Sequence, residues 1–270
     1  MIRVALLLLF FSTGMMAADL SKAPLAARKP HVHQEHGVER SDPYYWLRER
    51  DNREVLDYLK AENAYTEAAM EDTKELQEAL FREIKGRIKQ DDDTYPLRWK
   101  NYLYYSRYTE GSEYPRYFRR RTATGEESGK IIFDVPELAQ GHRFYDFDQG
   151  EVSPNENLIA FSYDTTGRRI RTLQVKNLES GEILPDRIEK VGGGHAWAAD
   201  SNTLFYTRQD PETLRDYQVW RHRLGTPSSD DVLVYEEEDE TFSCYVMSSQ
   251  SEKYIIIGCS QTLSDEYRLL

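Results

Sequence analysis

The sequence predicts a mainly β protein in which three blades and part of a fourth, taken from a β-propeller, follow an N-terminal helical segment. Three observations predict it. The 19 tyrosines lie in short runs bounded by Gly, Pro, Asn and Asp, and aromatic side chains suit a half-buried pleated surface. From about Asp92 onward the apolar period is two, as in a strand with one buried face. Lastly, "SPNENLIAFSYD" (Ser153 to Asp164), "AADSNTLFYTRQD" (Ala198 to Asp210) and "SQSEKYIIIGCSQ" (Ser249 to Gln261) repeat one pattern. They align Leu158, Leu204 and Tyr254 at spacings of 46 and 50 residues, with Tyr102 a further 56 residues upstream. Several short antiparallel strands in a unit of roughly 40 to 50 residues describe a propeller blade. An ordinary antiparallel sandwich is the alternative fold for the same strands.

Taken in order, Arg3, the apolar run Val4 to Phe11 and the small Ala17 and Ala18 before Asp19 have the charge, length and exit of a secretory signal peptide. Residues 1–18 are therefore expected to be removed, which predicts a secreted or periplasmic protein without stable membrane insertion; an uncleaved anchor is the alternative, given the imperfect cleavage motif at Met16 to Ala18. An extended lead from Lys22 to Gly37 precedes "SDPYYWLRERDNREVLDYL". There Asp42 and Pro43 suit a helix start, and Asp51 with Glu54 makes a capping box for a helix through Val55, Leu56 and Leu59. A second helix follows Thr73 as its cap. Leu76, Leu80, Ile84 and Ile88 recur along it every four residues, so one apolar face needs a partner. Residues 19–91 make up this arm and its helices, and residues 92–270 the incomplete propeller. Its first strands are "NYLYYSRY" (Asn101 to Tyr108), "PRYFRRR" (Pro115 to Arg121) and "KIIFDV" (Lys130 to Val135), with Gly111, Gly125 and Gly129 in the turns. The final "SDEYRLL" (Ser264 to Leu270) reads as a turn and a strand in want of a neighbour, so the ring is expected to continue beyond it.

With 47 Asp and Glu against 35 Lys and Arg, the net charge of -12 repels phosphate backbones and weakly attracts cationic ligands. Nucleic acid is not an expected partner.

Several uncommon strings carry a family likeness. "DPYYWLRERDNREVLDYLKAEN" (Asp42 to Asn63), "EGSEYPRYFRRR" (Glu110 to Arg121), "NLESGEIL" (Asn177 to Leu184), "YQVWRHRLGTPSSDDVLVYEE" (Tyr217 to Glu237) and "SDEYRLL" occur in order at fitting separations. Together they resemble the N-terminal part of oligopeptidase B, in the prolyl oligopeptidase family of serine peptidases. The resemblance implies a seven-bladed propeller between an N-terminal helical segment and a C-terminal α/β-hydrolase domain on which the helices pack. It also implies cleavage of short peptides after Arg or Lys, the propeller acting as a filter of substrate size. Short basic peptides and the hydrolase domain are the implied partners, and no cofactor is implied. The serine, histidine and aspartate of the reaction are expected beyond Leu270, so no catalytic, cofactor or metal residue is expected in this chain, which alone should be inactive. The sequence departs from the family pattern in its leader, and in stopping before the ring closes. The rival reading is a shortened secreted propeller that serves as a protein-interaction module.

The motifs nearest to chemistry have plainer readings. "GCSQT" (Gly258 to Thr262) lacks the second glycine of a nucleophile elbow and is followed by turn and strand signals, which makes Ser260 a strand residue. "GGGHAW" (Gly192 to Trp197) looks like an oxyanion loop, but its place before a blade repeat suits a flexible connection between strands. His31, His33 and His36 could converge on a metal, although no Cys or Asp nearby completes a site. The acidic run Glu236 to Glu240 reads as a solvated loop. Finally, a hairpin register that sets Val152 opposite Ile159 sets Ser248 opposite Ile255 in the later repeat, and hence Cys244 opposite Cys259. The two cysteines are then either within disulfide reach or two buried thiols.

Overall fold

Short apolar segments separated by turn residues fold into hairpins, and the computed structural model, which describes residues 22–123 and 129–270, contains them in chain order. The predicted signal peptide and the turn glycine Gly125 lie outside the described residues. The chain divides into two compact units between Ile88 and Lys89.

In the first unit, β1 (Val32–Glu35) and β2 (Val38–Ser41) form a hairpin. Its two turn residues, His36 and Gly37, both take positive φ, 51° and 79°, which matches the right-handed twist of the strands. Where a helix start was expected, Asp42 instead accepts a bond from the Tyr44 amide at 3.0 Å, and only a 3-10 turn forms at Tyr45–Arg48. Trp46 of that turn is buried and donates its indole N–H to the Ala27 carbonyl. Helix α1 (Arg53–Ala69) is capped by Asn52 rather than Asp51, because the Asn52 carbonyl takes the Glu54 amide at 2.9 Å while its NH2 is held by Glu49. Helix α2 (Lys74–Gly86) follows Thr73, whose hydroxyl donates to the Met70 carbonyl and makes no capping bond. The expected stripe is present and exposed along the helix: Leu76, Leu80 and Ile84 are 61%, 47% and 59% exposed, and Ile88 follows just after its end.

In the second unit the predicted strands appear close to their expected bounds. The first blade contains β3 (Asp92–Asp93), β4 (Leu97–Trp99), β5 (Tyr102–Tyr108), β6 (Arg116–Arg121) and β7 (Lys130–Asp134), followed by the one-turn helix α3 (Val135–Leu138). Next come β8 (Asp146–Val152), β9 (Leu158–Asp164), β10 (Arg171–Asn177), β11 (Ile183–Trp197), β12 (Thr203–Gln209), β13 (Asp216–Arg223) and β14 (Val232–Glu236), hydrogen-bonded in sequence order. The fifteen-residue β11 serves two blades. Its first half pairs with β10, its second half pairs with β12, and the register breaks between Val191 and His195. The last described blade is a three-stranded sheet of β15 (Ser243–Ser248), β16 (Ile255–Ser260) and β17 (Asp265–Leu269). The sheets form an open partial propeller of three blades and part of a fourth.

Period two explains how the blades stack. On β9, Ile159 and Phe161 pack toward the first blade with Phe133 and Tyr145, while Ala160 between them packs the other way with Leu173 and Trp197. On β12, Leu204 and Tyr206 face the second blade and Phe205 faces Val246 and Ile257 of the fourth. The core is thus three layers, one between each pair of neighbouring blades. The pairs Val152–Ile159, Trp197–Leu204 and Ser248–Ile255 each close a six-residue connection, and Glu156, Ser201 and Glu252 take positive φ at its fourth residue. The repeat is therefore one residue out of the sequence alignment. Leu204 corresponds to Ile159 and Ile255, not to Leu158 and Tyr254, because the inward-facing position after the turn is what the blades share.

Candidate functional site

The innermost strands of the blades surround a cavity of about 650 Å³. Its walls include Leu97 and Trp99 of β4, Glu151 and Val152 of β8, Trp197 of β11 and Ser248 of β15. Backbone and side chain interlock here: the Trp197 indole donates to the Glu151 carbonyl at 2.9 Å, and the Ser248 hydroxyl donates to the Trp197 carbonyl at 2.8 Å. Glycine is required beside it. A side chain on Gly150, at φ 61°, would place its Cβ 1.9 Å from the Ala160 carbonyl oxygen and 2.5 Å from His195 Nε2.

One carboxyl in this wall stands out. The Glu151 pKa is pushed up to about 7, first by burial of the carboxyl and then by the Asp148 charge, although the residue as a whole is exposed. An acid whose folded pKa lies above its unfolded value of about 4.5 costs stability once ionised, and that cost grows as pH rises from about 4.5 to 7. Glu151→Gln is therefore expected to leave stability near pH 4 unchanged and to raise it at pH 8 by about 1 kcal/mol, the size being limited by solvent screening. Urea unfolding at the two pH values checks this; an equal change at both would contradict it.

The sequence candidates fall elsewhere. Ser260 lies within β16, paired with Ser243 on one side and Asp265 on the other, so no elbow presents it. "GGGHAW" lies inside β11 and is no loop connection. Its glycines give close approach: a Cβ on Gly192 would sit 1.7 Å from Asp216 Oδ1, and the Gly194 amide donates to the Thr207 hydroxyl. The Gly194 amide is thus engaged within the sheet. Burial raises the Asp216 pKa and lowers that of His195. In the first unit, His31 stacks on Tyr45 with ring centroids 3.8 Å apart, and His33 Nε2 stands 3.8 Å from Asp42 Oδ2, so the hairpin supplies the aspartate that sequence distance hid. His36 occupies the turn. The three imidazoles do not converge among the described residues. In the acidic run, Glu237 is not simply solvated: it accepts the Tyr235 hydroxyl at 2.7 Å and lies near both cysteines. The expected register is present, with Cys244 directly opposite Cys259 and both thiols free.

Sequence reading missed a buried polar network. His222 on β13 places Nδ1 2.6 Å from Asp231 and Nε2 3.1 Å from Asp186, while the Tyr206 hydroxyl donates to the second Asp231 oxygen at 2.8 Å. Both ring nitrogens of His222 therefore face a carboxylate oxygen, one on each side of the imidazole. The network joins β11, β12, β13 and the turn before β14. Residues so far apart in sequence carry no local signal.

The comparisons with known proteins agree with this geometry. Residues 24–270 match the family model described as prolyl oligopeptidase, N-terminal beta-propeller domain. The chain belongs to the prolyl oligopeptidase family. It is 41% identical to dipeptidyl aminopeptidase BI of Pseudoxanthomonas mexicana across 97% of this chain and 39% of that protein. It is 32% identical to protease 2 of Moraxella lacunata, across 92% and 37%. Among solved structures, oligopeptidase B of Leishmania major superposes with a TM-score of 0.83 at 30% identity, over 93% of this chain and 37% of that one. The chain thus spans less than two fifths of the length of these family members, and what it matches is their propeller-containing N-terminal part. No helix among its described residues is long and apolar enough to cross a membrane.

Proposed function

We propose that this chain supplies the N-terminal helices and propeller of a serine peptidase acting on short peptides, with nucleophile, histidine and aspartate on an α/β-hydrolase domain. The family match over residues 24–270 carries the reading. The apolar stripe of α2 would then pack on that domain, making residues 19–91 part of the peptidase body. The axial cavity, lined by one short stretch from each blade, would admit an extended peptide and keep folded proteins out. The leader would direct the protein outside the cytosol.

For specificity, cleavage after Arg or Lys fits the likeness to oligopeptidase B and the net charge of -12, which draws basic peptides. A second reading rests on the relative named dipeptidyl aminopeptidase, which shares more of its sequence with this chain. In that case dipeptides would leave a free amino end. The test uses the gene product that carries this chain with a hydrolase domain, assayed on two reporters. The expected result is turnover of an amino-blocked peptide with Arg before the reporter, abolished by a serine-directed inhibitor, with a folded protein left uncut. Turnover confined to a free-amino dipeptide reporter would favour the second reading. Binding of a protein partner without hydrolysis of either reporter would favour an interaction module.

A further inference from the structure

We propose that Cys244 and Cys259 form a cross-strand disulfide that ties β15 to β16 within the fourth blade. These are the only two cysteines in the chain. Their Sγ atoms lie 3.1 Å apart, closer than an ordinary sulfur contact, and both residues are buried, 4% and 0% exposed. The pairing type favours the bond. Ile255 exchanges both of its backbone hydrogen bonds with Leu270, so toward β15 it forms a non-hydrogen-bonded pair with Ser248. Counting in twos down the hairpin places Cys244 and Cys259 at another such pair. There the Cα atoms stand about 4.5 Å apart, within the range a disulfide spans.

The chemistry needs an oxidant of the small-molecule disulfide class, such as glutathione disulfide. One protein thiolate attacks it, giving a mixed disulfide and one released thiol. The second protein thiolate then attacks the protein sulfur of that mixed disulfide and releases the second thiol. Two protein thiols are oxidised, one external disulfide is reduced, and the two protons end on the released thiols. Because burial raises the Cys244 pKa, exchange belongs to folding or opening of the blade, and the finished bond is a structural one.

Glu237 offers a carboxylate within 4.8 Å of both sulfurs, a third donor for a metal ion. The Arg268 guanidinium, with Nη1 3.9 Å from Cys259 Sγ and its centre 4.2 Å from the Tyr235 ring, sets a positive charge where that cation would sit. This disfavours a metal.

The experiment refolds the full protein in a glutathione redox buffer and, in parallel, with zinc chloride and no disulfide, then labels it under denaturing conditions with a thiol reagent. The expected result is loss of both labels after oxidative refolding, a mass lower by two hydrogens and a linked peptide pair containing Cys244 and Cys259. Prior reduction should restore both labels. The oxidised protein should also unfold at a higher temperature than the reduced one, with no such redox dependence in C244S/C259S. Two labels after oxidative refolding would overturn the proposal. So would one zinc ion per chain that survives dialysis and shields both thiols from glutathione disulfide, since the pair would then be a metal site.

Discussion

Replacing Asp231 with alanine lowers the unfolding free energy by about 3 to 5 kcal/mol, because two buried polar groups lose their acceptor together, each at a cost of about 1 to 3 kcal/mol. The Asp231 side chain is fully buried, with one oxygen 2.6 Å from His222 Nδ1 and the other accepting the Tyr206 hydroxyl. Its loss strands two groups at once, in a region where water does not replace the missing acceptor. Chemical denaturation near neutral pH measures the effect, and a double-mutant cycle with His222→Leu isolates the coupling between the two side chains. A loss below about 1 kcal/mol would mean that the network is hydrated and contributes no more than an ordinary hydrogen bond. Asp186, which accepts from the Gly225 amide and faces His222 Nε2, would then have to hold the ring alone.

Trp197→Ala is expected to cost a similar amount, about 3 to 5 kcal/mol, for a different reason. The indole is 1% exposed, packs in the layer between the second and third blades with Ala160 and Leu204, and forms part of the axial wall. Its removal opens a void that strand positions fixed by backbone hydrogen bonds cannot collapse into. It also leaves the Glu151 carbonyl without its donor. Trp197→Phe should lose much less, because most of the volume remains while the hydrogen bond goes. Equal losses for the two variants, measured by the same denaturation series, would place the energy in the bond and not in the packing.

How much of this was legible depends on the range of the interaction. Period two located β5, β6, β7, β9, β12, β16 and β17, because each blade face is decided by local alternation, whereas strands such as β10, β11, β13 and β14 were not placed. The six-residue turns repeat strongly enough to give the Cys244–Cys259 register from Val152–Ile159 alone. Caps were less legible: Asn52 and Asp51 are both good capping residues, and only the contact of Asn52 with Glu49 separates them. "GGGHAW" misled because glycines that admit the Asp216 and Thr207 side chains look, in sequence, like glycines of a loop. The repeat slipped by one residue because Leu158 and Leu204 are both apolar, whereas their faces differ. The His222 network was invisible, since Asp186 and His222 are separated by 36 residues and meet only when β11 and β13 enter one sheet.

In the proposed function these blades and helices shape access, and the reacting serine lies on another domain. Peptidase assay of the purified 270-residue chain tests it most directly. No hydrolysis of the Arg-containing reporter is the predicted result; hydrolysis by this chain that a serine-directed inhibitor abolishes would contradict it.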